Sequence, residues 1–313
     1  MKKKRKWGRM IALTLYVFTV GFWTASGLKT SEIIQSRQYV HEAYAKELQL
    51  DEGRTVFYRE AGNVSNPVML FIHGFLGSSY DFIEVLEYFK ATHHVIAVDL
   101  IGFGLSSKPR NYDYGKENQA RTVLEFIEAK QLNDITLMAH SMGGEVSFHL
   151  THLAPEKISQ LILVGSAGYY PEGAMTNPPS LPLFMYREVV QNYFIQRTFF
   201  FTAYSEYERK NGLITNEDFD EMYVVNRTIP PNILKKFGED NDSKNMQAIL
   251  DTIHQPILLL WGEFDGFIPL ATGELLLASL GDNAHLEMLP NAGHLPFDTF
   301  FEAFINHVEE FIT

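Results

Sequence analysis

The chain has 313 residues, 46% of them hydrophobic and 20% charged, a composition that fits a folded globular protein with a substantial core. It contains no cysteine, which excludes disulfides, iron–sulfur clusters, cysteine zinc sites and thiol catalysis. Of the net charge of −12, residues 1–28 contribute +6 and the remainder −18, so the body is poorly suited to phosphate backbones and nucleic-acid binding is not expected.

The chain opens with Lys2, Lys3, Lys4, Arg5, Lys6 and Arg9, followed by an uncharged stretch from Met10 to Leu28. Cations directly before an apolar run of this length predict a signal peptide or an N-terminal membrane anchor over residues 1–28. The alternative is a buried N-terminal helix. The small residues of "TASG" offer a cleavage point. The body is therefore expected to be exported, and either tethered to the membrane by this segment or secreted if the leader is cut.

A polar, helix-prone connector is expected over 29–47. "KELQL" and "RTVFYREAG" read as a β-hairpin that turns at Asp51-Glu52-Gly53. "PVMLFIHG" is a continuous apolar run ending in glycine, as in a strand buried on both faces. Ser78, three residues before Asp81, predicts a capped helix start for "YDFIEVLEYFKA". "HHVIAVDL", "DITLMAHS" and "ISQLILVG" read as further strands, alternating with the helical "KENQARTVLEFIEAKQL" and "GGEVSFHLTHLAPE". From about Ala167 to Gln247 the chain is rich in aromatics and prolines, with helical periodicity and no convincing buried strand. Strand character resumes in "QPILLLWG" and "AHLEMLP", and the chain closes with the helix "FDTFFEAFINHVEEFIT".

This order predicts an α/β fold: a mostly parallel twisted sheet with helices on both faces and an inserted helical cap. The core is expected over 48–168 and 248–313, and the cap over 169–247.

Three side chains stand at predicted strand ends. In "LMAHSMGGEV" the strand runs into the helix with almost no loop, so Ser141 occupies a sharp, strained turn with its hydroxyl exposed. Residues two positions to either side must be small, and Ala139 and Gly143 meet that demand. Serine needs a base, and the base needs an acid to orient it. Asp265 in "WGEFDGFIP" follows a buried strand, with Glu263 as its weaker rival. His294 in "NAGHLPF" sits in a turn after the last strand. The order Ser141, Asp265, His294 is the one this type of turn requires. The backbone N–H groups of Phe75 and Met142 are the expected oxyanion donors, the second at a helix N-terminus. His73 and Gly74 are expected to shape the turn. His149 and His152, three apart on a helix, are read as solvated rather than metal-binding. Of the cap aromatics, some are expected to face the cleft and most to pack the cap.

In the segments "HGFLGSS", "DLIGFGLSSKP", "AHSMGGE", "WGEFDGFIP" and "NAGHLPF", the chain resembles the α/β-hydrolase fold family, over most of residues 48–313. The resemblance implies that Ser141, Asp265 and His294 form a catalytic triad beneath the cap, with no cofactor and no metal. Ala139 stands where the family usually has glycine. Relatives that open epoxides or displace halide carry an aspartate at the position of Ser141, so those activities are disfavoured. The expected activity is serine-dependent cleavage of carboxylic esters of apolar acyl groups through an acyl-enzyme, with a small apolar ester or lipid as substrate. A carbon–carbon bond hydrolase and a catalytically silent binding protein are the alternatives.

Overall fold

In a computed structural model, residues 19–33, 44–169, 182–238 and 246–313 are described. Among these described residues eight strands form one sheet: β1 Ala45–Gln49, β2 Thr55–Ala61, β3 Val68–Ile72, β4 His94–Val98, β5 Ile135–His140, β6 Ile158–Val164, β7 Ile257–Gly262 and β8 Ala284–Leu289. Their order across the sheet is β1-β2-β4-β3-β5-β6-β7-β8. The β1–β2 hairpin and the β2–β4 pair are antiparallel, and every pair from β4 to β8 is parallel. The hairpin turns at Asp51–Gly53, where Glu52 takes φ +61° and Gly53 φ +71°.

The continuous apolar runs fill both faces, because alternate residues of a strand point to opposite sides. Leu70, Ile72, Leu137, Ala139, Leu161 and Leu163 pack on one face against Phe126, Val146 and Phe148. Met69, Phe71, Met138, Ile162 and Val164 pack on the other against Leu86, Phe89, Phe304 and Val308. The helices that supply these side chains are α2 Ile83–Phe89, α3 Lys116–Ala129, α4 Met142–Leu153 and, at the chain's end, α13 Phe301–Ile312, which the short α12 Pro296–Thr299 precedes. Ser78 caps the turn before α2 reciprocally with Asp81, as its spacing predicts. The crossover from β7 to β8 carries a further helix, Leu270–Leu280, that the sequence reading does not contain. Its leucines lie on both sides, Leu276 buried and Leu275 exposed, so they show little contrast between a buried and a solvated stripe. His149 also departs from expectation: it is buried, at 2% exposure, in α4.

Between β6 and β7 the described residues form helices only: α5 Leu183–Gln191, α6 Tyr193–Thr202, α7 Glu206–Lys210, α8 Asn216–Asn226, α9 Pro231–Gly238 and α10 Met246–Leu250, with Leu270–Leu280 following as α11. Tyr193, Phe219, Tyr223 and Val224 form a small core within this cap.

Residues 19–33 form a helix, α1, and they correct the membrane expectation. Among the described residues no helix is long and apolar enough to cross a membrane. Instead α1 lies against the cap. Ser26 accepts a hydrogen bond from the Tyr193 backbone N–H at 2.9 Å, Thr30 bonds the Tyr223 hydroxyl at 2.8 Å, and Ile33 enters the cap core. Ser26, Thr30 and Ile33 lie on one stripe of the helix (i, i+4, i+7), while Lys29 and Glu32 pair with each other at 3.0 Å. Ser26, Thr30 and Ile33 thus dock residues 19–33 on protein, and this described part of the expected anchor is not a membrane span. Residues 1–18, most of the expected leader including its basic run, lie outside the described residues, as does most of the expected connector. The mutation Ile33→Ala is expected to weaken α1 docking by about 2 kcal/mol, seen as roughly thirtyfold faster amide exchange over 19–33. Leu28→Ala, on the exposed side of the same helix, is expected to leave that exchange unchanged.

Candidate active site

The carboxyl ends of β5, β7 and β8 converge where the cap meets the sheet. Ser141 links β5 directly to α4 with φ +53° and ψ −121°, the strained turn that its context predicts. Such a conformation costs about 1–3 kcal/mol and persists only where the surroundings enforce it. Here the Ser141 backbone is held from both sides: its N–H donates to Val164 O at 2.9 Å, and its carbonyl accepts from Ala167 N at 2.9 Å.

The need for small residues has a specific origin. A Cβ on Gly143 would lie 2.5 Å from Ile72 O and 2.7 Å from His73 O, so α4 could not approach the end of β3. A Cβ on Gly144 would collide with Ser166 Oγ. Ala139 is fully buried in the sheet, and its methyl group is accommodated there.

Asp265 follows β7 and is buried. One carboxylate oxygen accepts from the backbone N–H groups of Phe267 at 2.9 Å and Ile268 at 2.8 Å; the other accepts from His294 Nδ1–H at 2.7 Å. This bond fixes the neutral His294 tautomer, leaving Nε2 as the atom able to accept a proton. Glu263, the rival acid, is exposed and accepts from the Asn291 backbone N–H instead. Beneath the pair lies Gly165, at φ +50°, where a Cβ would sit 3.0 Å from both Asp265 Oδ2 and His294 Nδ1.

The loop after β3 closes the site. Gly77 N–H bonds Gly74 O at 3.1 Å across Phe75 and Leu76, and Leu76 takes φ +58°. A Cβ on Gly74 would lie 3.0 Å from Ser141 Cβ, so this loop reaches the serine only because residue 74 is glycine. Met142 is the first residue of α4, and its N–H has no acceptor within the helix. His73 is buried and shapes the turn: Nδ1–H donates to Gly74 O at 2.7 Å, and Nε2 accepts from Leu100 N–H at 3.0 Å. The "DLIGFG" segment serves the same loop, since Asp99 accepts from the backbone N–H groups of Ser79 and Leu105.

Ser141, His294, Gly74 and Phe75 line one cavity of about 450 Å³, within the range of small-molecule sites. From the cap, Phe199, Phe200, Tyr204 and Met222 line it, with Phe267 from the core. Thus part of the cap's aromatic content faces the cleft, while Tyr193 packs within the cap. Asp81, Glu84, Asp218, Glu221 and Asp298 also line the cavity. Several have structural partners: Asp81 caps Ser78 N–H, Glu221 accepts from the Tyr80 hydroxyl, and Asp298 from the Tyr204 hydroxyl. Enclosure by protein pushes the Asp81 carboxyl up to about 7, and that of Asp298 well above the ordinary carboxylate range.

The cap grips both loops of the site, which the sequence reading does not contain. Asn226 of α8 donates to Leu76 O at 2.5 Å. Ala203 O accepts from His294 N–H at 2.7 Å, and Ser205 Oγ donates to Asn291 O at 2.6 Å. Glu208, wholly buried, accepts from Ser205 N–H and from the Thr299 hydroxyl. Nothing in the local sequence of 203–208 marks these roles, beyond the Ser-x-x-Glu capping pattern that Ser205 and Glu208 also satisfy.

The α/β hydrolase fold family model matches residues 67–301. An uncharacterized hydrolase of Bacillus subtilis, YugF, is 26% identical over 83% of this chain and 95% of its own. Lipase 1 of Psychrobacter immobilis is 29% identical over 85% of this chain and 83% of its own. The solved structure of a membrane phospholipase A is 21% identical, with a TM-score of 0.71 over 98% of each chain, a likeness of fold.

Two outcomes test this geometry. Gly165→Ala is expected to cost about 1 kcal/mol through its left-handed backbone, read as a lower urea midpoint, and to lengthen the Asp265–His294 hydrogen bond in a crystal structure of the variant. For Asp81, a folded-state pKa of about 7 lies above the unfolded value, so the native state holds the proton more tightly. Its contribution to stability is full below about pH 4 and is lost as the pH rises through 7. Asp81→Asn is therefore expected to flatten the fall in Tm between pH 5 and pH 8.

Proposed function

The chain belongs to the α/β hydrolase fold family, and from that premise we propose that it is an ester-cleaving hydrolase with Ser141 as nucleophile, His294 as general base and Asp265 as the orienting acid. The observation that carries this reading is the 2.7 Å bond between buried Asp265 and His294, in a cavity that Ser141 enters from a strained turn. Its similarity to Lipase 1 of Psychrobacter immobilis and to a second lipase, Lipase 3 of a Moraxella strain, points to the same bond type.

His294 Nε2 takes the Ser141 proton as the hydroxyl oxygen attacks the ester carbonyl carbon. Asp265, already bonded to Nδ1–H, stabilises the imidazolium that forms. The negative charge that develops on the carbonyl oxygen is met by the Phe75 and Met142 N–H groups, the second at the N-terminus of α4. Collapse of the tetrahedral intermediate expels the alcohol, which takes its proton from His294. Water then attacks the acyl-enzyme with His294 again as base, releasing the acid and restoring Ser141. This chemistry uses only the protein's own groups.

The acyl group is apolar and uncharged. Phe199, Phe200, Phe267 and Met222 supply an apolar wall, and the acidic Glu84, Asp218 and Glu221 on the lining disfavour an anionic substituent. Hydrolysis of a panel of p-nitrophenyl esters of increasing chain length tests this, with a ring-cleavage dienoate as the competing substrate. The expected result is a higher kcat/KM on esters than on the dienoate; the reverse order overturns the ester assignment. Labelling by a fluorophosphonate is expected in the wild type, absent in Ser141→Ala and strongly reduced in His294→Ala. Asp265→Asn is expected to lower kcat by about 10⁴-fold, the scale seen when an orienting acid is replaced by its amide.

A further inference from the structure

We infer that His140 is a positioning residue, whose neutral imidazole holds the main chain of His294 where its ring can serve both Asp265 and Ser141. The inference rests on the proposed triad and adds a fourth side chain to it.

His140 is the last residue of β5, and Ser141 follows it. It is buried at 5% exposure. Its Nε2 lies 3.0 Å from the carbonyl oxygen of His294, 154 residues away. A carbonyl oxygen only accepts, so Nε2 carries the proton and donates it. The two imidazole rings are 4.5 Å apart between centroids, and Phe297 meets His140 edge-on at 5.2 Å.

The neighbours of this ring make it more than a satisfied core histidine. A Cβ on Gly74 would lie 2.8 Å from His140 Nδ1 and 3.0 Å from Ser141 Cβ. One imidazole, at the end of the serine's own strand, therefore abuts both the loop of Phe75, an expected oxyanion donor, and the loop that carries the base. The main chain of His294 is held at both polar groups: its N–H donates to Ala203 O from the cap, and its carbonyl accepts from His140. The first contact is backbone to backbone. The second depends on a side chain, and so on the identity of residue 140.

The charge state follows from the same placement. Burial, then the adjacent His294, hold the His140 imidazole well below the ordinary histidine range. During the reaction His294 becomes a cation. A second cation at this separation would oppose that step in a poorly solvated site, whereas a neutral N–H donor fixes geometry without opposing the charge.

The test compares His140→Phe, which keeps a ring but has no donor, with His140→Gln, whose amide can place an N–H near the former Nε2. Should His140→Phe not fold, His140→Asn takes its place, since its amide is too short to reach the carbonyl. The donor-less variant is expected to lower kcat on a p-nitrophenyl ester by roughly 10- to 100-fold, as for a base displaced by a fraction of an ångström to an ångström. KM is expected to change little, and His140→Gln to recover most of the loss. The second measurement needs no substrate: the low-field proton NMR signal of the His294–Asp265 hydrogen bond is expected in wild type, Ser141→Ala and His140→Gln, and to be broadened by exchange or lost in the donor-less variant. Wild-type kcat with an unchanged signal in that variant would overturn the inference, as would an equal loss in His140→Gln. Absence of wild-type ester turnover would instead sink the proposed function, and the NMR comparison would still decide the role of His140.

Discussion

Much of this molecule follows from the left-handed turn at Ser141. A chain that leaves a buried parallel strand and enters a helix without a loop must bend through a backbone region that L-residues avoid. It stays there only because β6 and the loop after it hold it: Val164 and Ala167 bond its backbone, and the end of β3 crowds the start of α4 so closely that residue 143 has no room for a side chain. The strain is met by sheet packing on both faces, and the result is a hydroxyl presented at the carboxyl edge of the sheet.

The same edge gathers the other groups. In a parallel sheet every carboxyl end points the same way, so loops after β3, β5, β6, β7 and β8 necessarily meet in one region. Close approach is then settled by glycines: Gly74 lets the first loop reach the serine, and Gly165 lets Asp265 and His294 pair above β6. The cap completes the frame. Its residues 203–208 bind the His294 loop and Asn226 binds the Phe75 loop, so cap and site are one hydrogen-bonded unit at these points. The cap also receives α1, whose Ser26 and Thr30 bond Tyr193 and Tyr223.

The alternating strands and helices were legible because burial on both faces demands continuous apolar runs, and the capped start at Ser78 because its chemistry is local. Helix Leu270–Leu280 was not, since leucines on both its buried and its exposed sides blur the periodicity. The N-terminal segment misled for a related reason. Uncharged residues flanked by cations suit lipid and a docked protein helix alike, and the difference lies in Ser26, Thr30 and Ile33 finding partners on a cap that is distant in sequence. His149 looked solvated because a lone polar residue on a helix carries no sign of which face is buried.

By itself the sequence determined the fold class, the short turn at Ser141, and the presence of one acid and one histidine beyond later strands, because each depends on residue type and neighbours along the chain. Only the tertiary structure decided that Asp265 rather than Glu263 meets His294, that His140 holds the His294 carbonyl, and that 203–208 and α1 lock onto what they touch. Those contacts join residues tens to hundreds of positions apart, and a hydrogen bond is set by distance in space, which no local pattern of residues records.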